Sequence, residues 1–192
     1  MVRVCICKNR GRGMKKAGML LVGVIALISL EGCMTDRGEQ LTKIRGSEQE
    51  MSDQIMQEIA EALDAGDADA LKDVFSKPAL KEAEDLNQQI ADLMDFYQGK
   101  MVSYEGDASS STSNHYGDKI TEFTGYYQLI TTEETYRVGY DHKPVDDENP
   151  EEIGLRRLEL VTEDVYQEQV EDHGYYDWEY YENSPGVYMQ GE

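Results

Sequence analysis

ALKEAEDLNQQIADLMDFYQGKMVSY, residues 79–104, is where the chain changes its period. Ala83, Leu86, Ile90, Leu93 and Tyr97 recur in steps of three and four, which lines one face of a helix and predicts a long helix from Ala79 to Tyr97. Gly99 stands where a left-handed C-terminal cap belongs. Lys100 to Tyr104 then alternates, with Met101 and Ser103 on one face and Val102 and Tyr104 on the other, the period of a strand. Helical periodicity precedes this point and strand periodicity follows it, so the class is α+β.

Working back, Met51, Ile55, Ile59 and Leu63 make a four-residue stripe behind a capping box of Ser47 and Glu50, and Gly66 ends it. Asp67 caps a short second helix with Leu71, Val74 and Phe75 inward, closed by Pro78. Working forward, Glu105 to Tyr116 (EGDASSSTSNHY) is small and polar and predicts a flexible loop. Strands are expected over Ile120–Ile130, Thr135–His142 and Ile153–Thr162. Tyr136, Val138 and Tyr140 alternate cleanly, whereas Ile153 and Leu155 are out of phase with Leu158 and Leu160. A bulge near Arg156 and Arg157 restores the register and bends the strand. Lys143–Glu152 is a connecting loop. Gly174–Tyr188 is aromatic and acidic, with Val187-Tyr188 as a final strand.

Ahead of the domain lies Met14 to Cys33, MKKAGMLLVGVIALISLEGC. Its apolar run from Met19 to Leu30 is twelve residues. At ~1.5 Å per residue that falls short of a ~30 Å hydrocarbon core, while it suits the apolar core of a secretion signal behind Lys15 and Lys16. Leu30, Glu31 and Gly32 before Cys33 resemble the lipobox of bacterial lipoproteins, with Glu31 departing from the usual small or apolar residue. The resemblance implies a diacylglyceryl thioether on Cys33, with palmitate among the acyl chains, and cleavage before Cys33. Two or more acyl chains give stable anchoring. An ordinary signal peptide with an incidental cysteine is the alternative. MVRVCICKNRGRG before Met14 has no role in a compact signal, which makes Met14 the expected start. The expected organisation is a signal peptide over 1–32, a lipidated N-terminus and tether over 33–46, and one domain over 47–192.

Residues 1–32 hold six of the 18 basic residues and one of the 39 acidic ones, so the remainder carries 12 against 38, a net charge of −26. Such a surface repels phosphate backbones and anionic headgroups, so no nucleic acid partner is expected. With Cys5 and Cys7 in the leader, Cys33 is the only later cysteine, and the domain must be held by its core rather than by a disulfide. Thirteen tyrosines against three phenylalanines suggest a core or cavity edged with hydroxyls.

Helix, short helix, long helix and then a curved antiparallel sheet resemble the nuclear-transport-factor-2-like cone, grouped more broadly as cystatin-like. Ala68-Asp69-Ala70-Leu71 before Phe75 looks like its helix connection. The second half is similar to an uncharacterised lipoprotein family of Gram-positive bacteria, domain of unknown function 5104. The similarity rests on Gly125-Tyr126-Tyr127, Thr131, Thr132, Tyr136, Val145-Asp146, Asn149-Pro150 and Gly154-Leu155. The resemblance implies a three-helix layer on a cone-like sheet that leaves a pocket. It does not imply an activity, because the cone hosts isomerases, cyclases, dehydratases and binding modules alike.

An isomerase-like cone needs a carboxylate of raised pKa beside a tyrosine donor. The donors available are Tyr97, Tyr104, Tyr127, Tyr136 and Tyr140, and the bases are Asp95, Asp141 and His142. The first helix offers no tyrosine, and Asp95 falls off the apolar stripe. His115, His142 and His173 are scattered without metal-ligand spacing. Asp64, Asp67 and Asp69 lack the spacing and terminal Glu of a calcium loop. Asp146, Asp147, Glu148, Glu151 and Glu152 are a denser oxygen cluster and the better cation candidate. There is no nucleophile motif or glycine-rich phosphate loop, and no cofactor is expected.

The reading that follows is a lipid-anchored extracytoplasmic domain on the cell membrane that binds a small molecule or a protein and does no chemistry. Its ligand wall would be Tyr97, Tyr104, Tyr127, Tyr136, Tyr140 and His142, with the Val145–Asn149 loop. A cyclase- or isomerase-like enzyme with a buried acid–base pair is the alternative. A homodimer through the open sheet face is the third reading.

Overall fold

The computed structural model describes residues 46–178 and 184–191. Met14, the lipobox Leu30, Glu31 and Gly32, the lipidation site Cys33 and tether residues 34–45 lie outside the described residues.

Helix α1 spans residues 46–65 and buries Ile55, Met56, Ile59, Ala60 and Leu63. It already includes Ser47, so the expected cap stands within the helix. Gly66, at φ 64°, ends it. Helix α2 (Ala68–Val74) has the expected cap, with the Asp67 carboxylate accepting from the Ala70 N–H at 2.9 Å. Pro78 does not close that turn. It sits in the first turn of a further helix, α3 (Lys77–Glu82), where its missing N–H costs nothing and where the Ser76 hydroxyl caps Ala79.

The long helix expected over Ala79–Tyr97 is therefore two helices, α3 and α4 (Leu86–Phe96), broken at Ala83–Asp85, with Asp85 left-handed at φ 53°. Glu82, Glu84 and Asp85 explain the break. Acids are unfavourable at a helix C-terminus and favourable at the next N-terminus. Within α4 the apolar stripe holds, with Leu86, Ile90 and Leu93 buried.

Five strands follow: β1 (Met101–His115), β2 (Asp118–Thr131), β3 (Thr135–Asp146), β4 (Gly154–Thr162) and β5 (Gly186–Gln190). They lie in sequence order, the first four antiparallel and β5 parallel to β4. The predicted loop Glu105–Tyr116 is instead most of β1, paired with β2 down to His115 and Asp118. Tyr116 and Gly117 turn the hairpin, both with positive φ, and the Asn114 side chain accepts from the Gly117 N–H at 3.2 Å. Residues 109–119 are exposed on both faces, so no apolar alternation marks the strand.

The expected bulge in β4 is present. Asp141 pairs with Arg157 and His142 with Leu155, leaving Arg156 as the extra residue. A second bulge lies beside it. Thr121 pairs with Val145 and Phe123 with His142, so β3 spends Lys143 and Pro144 against Glu122 alone. Pro144 has no N–H for the ladder, which favours the extra residue there. Two bulges at one level of adjacent strands bend the sheet.

Helices α1–α4 pack on the face carrying Phe123, Leu129, Tyr136, Val138, Tyr140, Leu158 and Leu160, which forms one apolar core with them. Gln89 of α4 accepts from the Val187 N–H at 2.9 Å and ties β5 to the helix layer. A fifth helix, α5 (Glu163–His173), was not expected. It opens on Glu163 and Asp164 and closes on Gly174 at φ 82°. Its weak apolar stripe has no fully buried residue. The helix lies against the opposite sheet face, where Arg137 makes a bidentate pair with Glu163 at 2.7 and 2.9 Å.

Candidate functional site

The five candidate tyrosines do not form one wall. Tyr104, Tyr127 and Tyr140 lean onto α1. Ser52 Oγ lies 2.5 Å from the Tyr127 hydroxyl and 2.7 Å from that of Tyr140. Tyr127 donates to Asp53 at 2.9 Å, and Tyr104 to the Asp53 carbonyl at 3.3 Å. Gly125 makes room for this cluster, since a Cβ there would stand 2.3 Å from the Tyr140 ring. Burial pushes the Tyr104 and Tyr127 hydroxyls above their usual range and Tyr140 to about 12.

Tyr97 and Tyr136 form a separate stacked pair, 5.6 Å between centroids, at the exit of α4. Tyr97 donates to Asp64 at 2.7 Å, and Asp64 also accepts from the Met101 N–H. Tyr136 accepts from the Gln98 N–H at 2.8 Å. The Tyr104, Tyr127 and Tyr140 hydroxyls thus fix α1 to the sheet, that of Tyr136 fixes β3 to the exit of α4, and that of Tyr97 fixes this exit to α1, so the five stand in two clusters rather than along one wall. Tyr127 with Asp53 and Tyr97 with Asp64 are carboxylate–tyrosine pairs of the kind an acid–base enzyme would use. Tyr127 borders a cavity of about 720 Å³ on the outer sheet face, between Tyr126, Arg137, Tyr166 and Trp178, but Asp53 does not line it.

His142 stands apart from the tyrosines, in a recess of about 330 Å³ built by the two bulges. Glu122 and Phe123 of β2, Asp141, His142 and Lys143 of β3, and Arg156 and Arg157 of β4 line it. Its floor depends on a close approach: the Ser76 N–H donates to the Leu155 carbonyl at 2.9 Å beside Gly154 at φ 130°, where a Cβ would meet Ser76 N at 2.6 Å. Only glycine fits there. Asp141 takes Arg157 at 2.8 Å and the Thr124 hydroxyl at 3.0 Å. Lys143 reaches Asp146 at 3.2 Å, Glu122 at 3.7 Å and Glu152 at 3.9 Å. The exposed Arg156 has no ion-pair or hydrogen-bond partner among the described residues. Burial pushes the His142 imidazole down to about 4, so it is neutral near pH 7, and its Nδ1 is buried without a hydrogen-bond partner. In a chain of 18 basic against 39 acidic residues, three cations meeting in one recess is a concentration.

Of the other candidates, Asp95 is exposed on α4, and His115 and His173 are exposed. In the acidic loop, buried Asp146 accepts from the Asn149 N–H at 2.7 Å, which with Lys143 holds its carboxyl below the usual range. Asp147 accepts from the Lys119 N–H at 2.8 Å. Asp147 thus latches the hairpin to the loop and Asp146 closes the loop's own turn, while Glu148 and Glu151 are exposed and Glu152 faces Lys143. Among the described residues no three acidic or histidine side chains converge as ligands for a metal ion.

The sequence reading missed Ser52 and Asp53, which sit one and two places beyond Met51 in the α1 stripe, a position ordinarily read as flank. It also missed the bulge opposite Glu122, for which Pro144 inside a strand was the available signal.

The fold and the recess define an acidic α+β domain with a mixed-charge hollow at a bent sheet. The chain belongs to the family described as domain of unknown function (DUF5104), whose model matches residues 58–163, from α1 through the start of α5. Among curated proteins none matches the chain. No helix of the described residues is long and apolar enough to cross a membrane.

Proposed function

We propose that this protein is a lipid-anchored, extracytoplasmic binding domain that takes a small polar ligand in the recess around His142 and performs no chemistry on it. One observation carries the reading: two adjacent bulges gather Asp141, His142, Arg156 and Arg157 around a hollow of about 330 Å³. Small-molecule sites run from ~300 to ~1,000 Å³ and pair an apolar wall with a few convergent polar groups, among which a group of perturbed pKa is typical. Phe123 and Gly154 supply the wall. Against catalysis, Asp141 is committed to Arg157 and Thr124, and no tyrosine lines the recess. The order of helices before a bent sheet supports the cone resemblance, and the Leu30–Cys33 pattern supports the anchor.

The full chain, extracted from membranes in mild detergent, is expected to carry a small molecule visible by native mass spectrometry. Arg156→Asp, at an exposed position, is expected to lose it. Recovery of nothing, or equal recovery from the variant, would sink the reading. Cys33→Ser is expected to release the protein from the membrane fraction and abolish palmitate labelling. Unchanged membrane retention would remove the anchor.

A further inference from the structure

We infer that the recess takes a compact zwitterion, an amino acid or a molecule of the same charge pattern; this rests on the recess being the binding site. The argument begins with which charges there are already spent. Asp141 is held by Arg157 and Thr124, and Lys143 is closest to the buried Asp146. Two groups of opposite sign retain capacity. Arg156, the extra residue of the β4 bulge, has no partner among the described residues. Glu122, opposite the β3 bulge, has a side chain 61% exposed and only the 3.7 Å contact with Lys143. They flank β3 from either side, about 10 Å apart at the backbone by two strand spacings. His142, on β3, lines the same recess.

The whole chain then selects among ligand charges. At a net −21 it repels any free anion, so a recess serving anions alone would work against its own field. A simple cation would be drawn to most of the surface and would be met here by Arg156 and Arg157, the wrong sign. A ligand of zero net charge with separated ends escapes both objections: its carboxylate faces Arg156 and its ammonium faces Glu122. The hollow is at the small end of the usual range, which suits a molecule of amino-acid size.

The test is calorimetric titration of the full chain in detergent with proteinogenic amino acids one at a time. The tightest is then repeated as its N-acetyl and its carboxamide derivative. One or more amino acids are expected to bind. Either block, and either Arg156→Gln or Glu122→Gln, is expected to weaken binding by about tenfold or more, the scale of one lost charged hydrogen bond. Circular dichroism checks the fold of these exposed-site variants. A blocked derivative binding as tightly as its parent, or no amino acid binding at all, overturns the zwitterion. Neither result touches the recess as a site, which is judged separately by the molecule recovered from membranes and its loss in Arg156→Asp.

Discussion

At the residue scale the most exacting position is His142. Its imidazole is pushed to about 4 by burial, against 6.5 in the unfolded chain. The unfolded state therefore binds the proton first as pH falls, and stability contributed by the neutral ring is present above 6.5 and lost progressively down to about 4. The full difference is on the order of 3 kcal/mol. Wild type is expected to lose stability relative to His142→Leu between pH 7 and 4.5 in denaturant titrations, and parallel curves would show the ring to be solvated. Ser52 is the second such residue. Ser52→Ala removes the hydroxyl shared by Tyr127 and Tyr140, leaving Tyr127 with Asp53 and Tyr140 with the residue-52 carbonyl at 3.1 Å, and is expected to cost ~0.5–1.5 kcal/mol by the same measurement. A cost under a few tenths would mean that Asp53 and the residue-52 carbonyl satisfy both hydroxyls by themselves. Neither role was legible beforehand. His142 could be placed at a strand end but not in a hollow made by two bulges, and Ser52 reads as a polar flank until Tyr140, 88 positions away, folds over it.

Among the elements, those with a packed face were legible and those without one were not. The stripes of α1 and α4 and the alternation of β3 follow from burial on one side, and so does the β4 bulge, whose phase break is written in Ile153, Leu155, Leu158 and Leu160. The outer half of β1 buries neither face, so its serines carry no period and read as a loop. The break between α3 and α4 turned on charge, where the apolar stripe alone reads as continuous. Helix α5 packs weakly and was missed for the same reason as β1. Because residues 109–118 are exposed on both faces, their amides are expected to exchange with solvent orders of magnitude faster than those of Val138 or Leu158–Leu160. Equal protection along the hairpin would mean that something covers it.

For the whole molecule, the dominant fact is charge. A net −21 opposes compaction, while ion pairs such as Arg137 with Glu163 are partly shielded from solvent. Raising sodium chloride from about 10 mM, where the Debye length is ~30 Å, to 1 M, where it is ~3 Å, is expected to raise the melting temperature. A fall would show that specific pairs outweigh the general repulsion. The same field is what makes a recess with three cations unusual on this surface, and it is why that hollow, rather than the tyrosine clusters, is the site proposed. The measurement that tests this most directly is amide chemical-shift mapping of the protein with the small molecule recovered from its membrane-extracted form. Shifts confined to Phe123–Thr124, Asp141–Lys143 and Gly154–Arg157 are expected. Shifts centred on Tyr126, Arg137 and Trp178 of the outer face would contradict the assignment.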